Sequence, residues 1–208
     1  MGSPLKIVTH SKRVLDVAGR LGWLPGARYT NLRDIRHEPI VGMIDICWRT
    51  YNFEAHLRAV RTTRPVLTVA RDVLHRRELD GVLSEADLLA KYCGTVVIVP
   101  KDRRLRHSLD AVIPTQFRLG YSVPTRYGTT PIEPRFFRRP VHLLGGRPDT
   151  QRHLANELEV ASLDCNRFTL DAAFGDYFDG QTFRPHPTGG YERCLEDSLL
   201  KINELWAK

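Results

Sequence analysis

The stretch Val160-Ala-Ser-Leu-Asp-Cys-Asn-Arg167 is a short apolar run that ends abruptly in an acid, a thiol, an amide and a guanidinium. Taken as a strand, whose side chains alternate between faces, it puts Ala161, Leu163 and Cys165 on one side and Val160, Ser162, Asp164 and Asn166 on the other. A carboxylate thus shares a face with small and polar groups. Such an acid either caps the segment that follows or stands at the opening of a site.

Upstream, the same pattern recurs. Pro140-Val-His-Leu-Leu-Gly-Gly146 reads as a strand, and a helix over Pro148 to Leu158, opened by Pro148 and Asp149, links it to the stretch above. Further strands are expected at Leu5 to His10, Ala27 to Thr30, Val41 to Trp48, Pro65 to Asp72, Thr95 to Asp102 and Gln116 to Val123. Helical spacing fills Lys12 to Leu21, Phe53 to Thr62 and Leu83 to Tyr92, the last opened by Ser84-Glu-Ala-Asp87. Arg103 to Val112 carries a poor helical signal, Pro124 to Pro140 reads as a proline- and arginine-rich loop, and Tyr191 to Lys208 as a closing helix.

Strands alternating with helices imply a parallel sheet. A doubly wound open sheet would make near-continuous Val/Ile/Leu strands. Several strands here keep one face small or polar, which suits strands whose inner ends open onto a site. The expectation is an α/β fold, a compact (β/α)8 TIM-like barrel formed by residues 1–208 as one domain. A chain of 208 residues is near the lower size, about 200, at which such a barrel closes.

Composition narrows the partners. A net charge of +7 favours a polyanion such as nucleic acid over an acidic or neutral partner. Cys47, Cys93, Cys165 and Cys194 stand far apart with no C-x-x-C pair, so reduced thiols in the cytoplasm are expected, not a zinc site. The start, Met1-Gly-Ser-Pro-Leu-Lys6, has no long apolar run behind it and nowhere do eighteen apolar residues follow one another, so neither export nor spanning is expected.

In a barrel of this kind the working residues stand at the C-terminal strand ends, where Asp45, Asp72 and Asp164 are expected. Ionised acids repel, so three at one mouth are hard to explain as packing. Grouped carboxylates suit metal-assisted hydrolysis, glycoside-type chemistry or phosphoryl transfer. The chain has no H-x-H or H-E-x-x-H pair, His10 and His142 are isolated, and Gly145-Gly-Arg-Pro148 is a weak phosphate cradle. No metal ligands are assigned.

The succession of Pro140-Val-His-Leu-Leu-Gly-Gly, a helix, and Val160-Ala-Ser-Leu-Asp-Cys-Asn-Arg resembles the tRNA-guanine transglycosylase superfamily, in which a leucine-glycine strand leads into a Phe-Asp-Cys motif. Gln116-Phe-Arg-Leu-Gly-Tyr-Ser is similar to that family's base-contacting strand, and Asp45 and Asp72 stand at strands that carry its other two acids. The chain departs from the family at Ile46-Cys-Trp48, where Ser-Gly-Gly is usual, at Pro100-Lys101, where a glutamine is usual, and in lacking the zinc-binding cysteines. A short chain without the zinc subdomain is most similar to the phage and bacterial branch that inserts 7-deazaguanines into DNA.

The resemblance implies a glycosyltransferase that exchanges guanine in DNA for a free 7-deazaguanine such as preQ0, without a cofactor, as a DNA modification that would guard against restriction. Asp164 would be the nucleophile and Asp45 would carry the proton. Asp72 would read the guanine edge, with Gly120, Tyr121, Trp48 and Lys101 at the base. Arg126, Arg135, Arg138 and Arg139 of the loop, with Asn166, Arg167, Arg184 and His186, would hold phosphates. A nucleic-acid hydrolase, a tRNA-directed exchange enzyme and a catalytically silent binding module are the alternatives.

Overall fold

The computed structural model describes residues 2–207 other than 48 and 127. Eight parallel strands follow one another around a closed barrel: β1 (Leu5–Thr9), β2 (Leu24–Arg28), β3 (Met43–Asp45), β4 (Leu67–Val69), β5 (Thr95–Ile98), β6 (Arg118–Ser122), β7 (Val141–Leu144) and β8 (Val160–Asp164). The ring closes where β8 pairs with β1, with Ile7 opposite Asp164. Around it lie α1 (Lys12–Arg20), α2 (Phe53–Thr63), α3 (Leu79–Ala90), α4 (Leu109–Val112), α5 (Pro148–Leu154), α6 (Arg167–Ala173) and α7 (Tyr191–Ala207). The fold is the (β/α)8 TIM-like barrel that the alternating pattern predicts.

Period-two alternation sorts the strands' side chains into two cores. Ile7, Met43, Leu67, Val69, Val97 and Val99 fill the lumen. Their neighbours Val8, Ile44, Val96, Ile98, Leu119, Val141, Leu143 and Leu163 face outward under the helices. Gly120 belongs to the lumen set. A Cβ there would lie 2.7 Å from Val97 Cγ1 and 2.8 Å from Val99 Cγ2. Valine side chains cannot swing clear, so Gly120→Ala is expected to cost about 1–3 kcal/mol by overpacking, read as a lower midpoint of urea unfolding.

Two crossovers are abbreviated, which explains how so short a chain closes. The β2–β3 and β6–β7 connections carry only the 3-10 turns Arg33–Ile35 and Pro134–Phe136. In the second, Ile132 and Phe137 are buried against the barrel, with the Phe137 ring edge-on to Tyr121 at 5.2 Å. Apolar side chains of an irregular segment therefore cover the strands that a helix would cover.

Some boundaries differ from the sequence expectation. The second strand begins at Leu24, ahead of the expected Ala27. Helix α3 begins at Leu79, because Ser84 lies inside it and donates to the Asp80 carbonyl at 2.9 Å instead of capping a later start. After β8, periodicity left unassigned α6 and a hairpin of β9 (Asp176–Phe178) and β10 (Phe183–Pro185). That hairpin packs on α7, where the Phe178 amide donates to Ser198 Oγ at 2.9 Å. Helix α7 is fastened in turn to the α1–β2 turn: Trp23 Nε1 donates to Asn203 Oδ1 at 3.0 Å and Asn203 Nδ2 to the Leu21 carbonyl at 3.0 Å. Among the described residues no helix is long and apolar enough to cross a membrane.

Candidate carboxylate site at the barrel mouth

Asp45 ends β3 and Asp164 ends β8, both in register with lumen-facing residues of their strands, so both carboxylates come to the C-terminal mouth. Burial pushes the Asp45 carboxyl up to about 7, and the negative charge of Asp164 is the second cause. The Ile46 amide, which donates to Asp45 Oδ1 at 2.8 Å, and the Arg28 guanidinium act the other way, and Asp72 adds a last upward increment. Asp45 thus feels the charges of two acids distant along the chain, Asp164 and then Asp72, across the opening where the sequence predicts all three.

Asp72 arrives by a different route from the one expected. Strict alternation over Pro65 to Asp72 would put Thr68 and Ala70 on the face of Asp72, but neither lines the site. Leu67 and Val69 take the lumen, Thr68 faces outward, donates to the Ile44 carbonyl at 2.7 Å and lies 2.8 Å from His56 Nε2. Ala70 is packed in the outer core. The strand ends at Val69, and the irregular residues beyond it, tied by the bridge between Val73 and Pro100, bring Asp72 to the rim. There Asp72 Oδ2 lies 2.8 Å from Lys101 Nζ. Lys101 therefore stands at the mouth as the partner of Asp72.

Asp164 is held firmly, with 7% of its surface exposed. Its Oδ1 accepts from the Gly145 amide at 3.0 Å, while among the described residues no hydrogen bond reaches Oδ2. Gly145 and Gly146 have φ of 62° and 87°, a left-handed turn that aims the amide at the carboxylate. A Cβ on Gly146 would lie 2.3 Å from Val123 Cγ1, so only glycine fits. The fully buried Gln151 clamps this turn to the strand end, its Nε2 donating to the carbonyls of Gly145 and Asp164, each at 2.7 Å. Gln151→Ala strands both carbonyls, each at about 1–3 kcal/mol, and is expected to lower the unfolding midpoint in urea.

Beneath Asp164 lies a polar chain inside the barrel. Arg118 Nη1 donates to Ser162 Oγ at 3.1 Å, Ser162 Oγ lies 2.8 Å from His142 Nδ1, and His142 Nε2 lies 3.4 Å from Asp164 Oδ1. His142 and Ser162 are fully buried, and burial lowers the Arg118 guanidinium from its ordinary range. His142, isolated in the sequence, is thus joined to the site. Arg118, His142 and Ser162 lie on the lumen faces of three adjacent strands, β6, β7 and β8.

Other expected site residues are placed differently. The Tyr121 ring is 4% exposed and packs outward on Phe137, because Tyr121 has the parity opposite to Gly120, so it does not stack at the mouth. The gap at Gly120 is filled by Val97, Val99 and Leu144, so it opens no path to a base. Trp48 lies outside the described residues. Arg139 donates to the carbonyls of Ile113 and Pro114 and pairs with Asp110, at the end of the barrel where β6 and β7 begin, opposite the acids. Arg138, next to it, shares that end. Arg135 lies on the flank, its guanidinium 5.1 Å from the Phe136 ring centre. The loop leaves the mouth soon after Thr130, whose amide donates to the Ser122 carbonyl, so only Arg126 of the four loop arginines stays near the C-terminal ends.

The rim after β7 and β8 does carry cations, each with a local acid. Arg167 pairs with Asp171, Arg184 with Asp179 and Arg147 with Asp149. Arg147 and Arg167 flank the Phe183 ring at 5.2 and 6.0 Å from its centre. Asn166 ties the strand ends together, its Oδ1 accepting from the Thr9 amide at 2.9 Å, and His186 Nδ1 accepts from the amides of Thr188 and Gly189. Both are structural contacts. Arg28 and Arg147 were missed by sequence reasoning, although each stands at or just after a strand end, the position that located the acids.

A cavity of about 390 Å³ beside Arg33, Arg36, Glu38 and Thr63 lies toward the N-terminal end of β3, away from the acids. Among the described residues no three His, Cys, Asp or Glu side chains are grouped to hold a metal ion.

Residues 18–207 match the model of a family described as being of unknown function, DUF6610. No curated protein matches the chain. The fold is similar to the solved structure of the YdjI aldolase from Escherichia coli K12, with a TM-score of 0.57 at 10% identity, over 98% of this chain and 91% of that one. A likeness at that identity is one of fold.

Proposed function

The chain belongs to the DUF6610 family, and for this member we propose a base-exchanging glycosyltransferase that replaces guanine in DNA by a 7-deazaguanine through a covalent aspartyl-glycosyl intermediate. One observation carries the reading: a buried carboxylate and a half-buried one face one mouth in unlike settings, Asp164 anchored through one oxygen and Asp45 raised to about 7. Unlike environments assign unlike roles to paired acids. The resemblance to the tRNA-guanine transglycosylase superfamily, carried by the leucine-glycine strand and the Leu163-Asp164-Cys165 run, supports the same assignment.

In the first half of the reaction Asp164 Oδ2 attacks the sugar C1′, the C1′–N9 bond breaks, and protonated Asp45 gives its proton to the departing guanine. In the second half Asp45 takes the proton from the incoming base, whose nitrogen attacks C1′ as the C1′–Oδ2 bond breaks. Two inversions retain configuration. Asp72 would accept from the guanine edge with the oxygen that Lys101 leaves free. The target base would leave the helical stack to reach the mouth, at a cost of a few kcal/mol.

The test is incorporation of labelled guanine into duplex and single-stranded DNA, with tRNA alongside. Exchange without net loss of base is expected with DNA. Release of guanine without replacement would make the protein a hydrolase, and exchange confined to tRNA would move the substrate class.

A further inference from the structure

We infer that His142 is a positioning residue for Asp164: it keeps a proton on Nε2, and that N–H closes onto Asp164 Oδ1 in the reacting complex, leaving Oδ2 as the atom that attacks. This rests on the reading of Asp164 as the nucleophile. It starts from the one-way character of the buried chain. A guanidinium only donates, so Ser162 Oγ is the acceptor in its 3.1 Å contact with Arg118 Nη1. The serine proton is then available to His142 Nδ1 at 2.8 Å. A ring whose Nδ1 accepts carries its proton on Nε2.

That Nε2 is fully buried and has no hydrogen bond of proper geometry among the described residues. The acidic oxygen that it faces is Asp164 Oδ1, 3.4 Å away. An orphaned buried donor is rare, and hydrogen bonds that serve catalysis are often long in the free protein and tighten on binding. A small turn of the Asp164 carboxylate satisfies it. The Gly145 amide already holds the same oxygen at 3.0 Å, so two donors would converge on Oδ1.

The consequence differs between the two half-reactions. Before attack, two donors on Oδ1 fix the plane of the carboxylate and present Oδ2. In the glycosyl ester Oδ1 is the carbonyl oxygen. When the C1′–Oδ2 bond breaks, its electron pair returns to the carboxylate, and the same donors stabilise the charge that reappears there. Ser162 and Arg118 touch no reacting atom and act through His142.

The experiment combines 15N NMR of the histidine rings with exchange kinetics on the full-length protein. In the unmodified protein the His142 ring is expected to carry its proton on Nε2, and Ser162→Ala is expected to shift a measurable fraction of it to Nδ1. His142→Phe and Ser162→Ala are each expected to lower kcat for labelled-guanine exchange roughly tenfold to a hundredfold with KM little changed, and His142→Gln, which restores a donor, to recover part of the loss. Should the phenylalanine variant fail to fold, the serine variant, which removes one hydroxyl, decides. A proton on Nδ1 in the unmodified protein, or wild-type kcat in both variants, would overturn the inference. Absence of exchange in the unmodified protein would count against the nucleophile itself, and with it the positioning role, while the ring tautomer would still decide the hydrogen-bond chain.

Discussion

Asp164→Asn is expected to lower base exchange by at least about 10⁴-fold, because an amide oxygen cannot form the glycosyl ester. Retention of DNA should change little, since the rim cations are untouched. The fold should also survive: the asparagine carbonyl can still accept from the Gly145 amide, and Gln151 binds the backbone carbonyl of residue 164, not its side chain. A second effect follows from the coupling across the mouth. The negative charge of Asp164 is the second cause of the raised Asp45 carboxyl, so removing it should move Asp45 down from about 7, measurable by carboxyl 13C NMR against pH. Equal exchange rates in the variant and the unmodified protein would remove Asp164 from the chemistry.

Asp45→Asn should lower exchange by about 10²- to 10⁴-fold, the range for loss of a positioned acid–base group. The pH dependence carries the finer test. Formation of the glycosyl intermediate needs Asp45 protonated and should fall as pH rises through about 7, whereas its discharge by the incoming base needs Asp45 ionised and should fall below that value. Net exchange is then bell-shaped, and the variant loses both limbs. Stability runs with the opposite benefit. A carboxyl raised in the folded state from 3.8 to about 7 favours the fold while protonated, and that contribution is lost as pH rises from about 4 through 7. The asparagine variant, which never ionises, should therefore gain stability over the unmodified protein at pH 8, by at most about 4 kcal/mol, and little at pH 4. No gain at pH 8 would show that Asp45 is not strained by its setting.

The barrel was legible because its signals are local and repeated: β-branched runs such as Thr95-Val-Val-Ile, helix openings such as Pro148-Asp149, and acids at the ends of apolar strands. Asp45 and Asp164 were found because β3 alternates to its last residue and β8 does so from Ser162 onward, after an irregularity at Ala161 that turns Val160 to the outer core. Asp72 was placed at the right opening for the wrong reason, since β4 stops at Val69 and alternation no longer holds beyond it. Tyr121 shows how one step of parity decides between a mouth and a packed exterior. The arginines of the long loop were misplaced because an irregular crossover gives no period from which to tell where along the barrel each residue lies. Arg139 reaches the far end, and Arg135 the flank. The His142 chain was hidden for another reason: its members lie on three strands, and only the closed ring brings Arg118, His142 and Ser162 side by side.

The most direct test is intact-mass measurement of the protein after incubation with guanine-containing DNA and no incoming base, followed by mapping of any adduct. A DNA-sized mass increase located on Asp164, absent from Asp164→Asn and discharged when a 7-deazaguanine is added, is the predicted result. Loss of guanine from the DNA with no adduct at Asp164, or an adduct that persists in the asparagine variant, would contradict it.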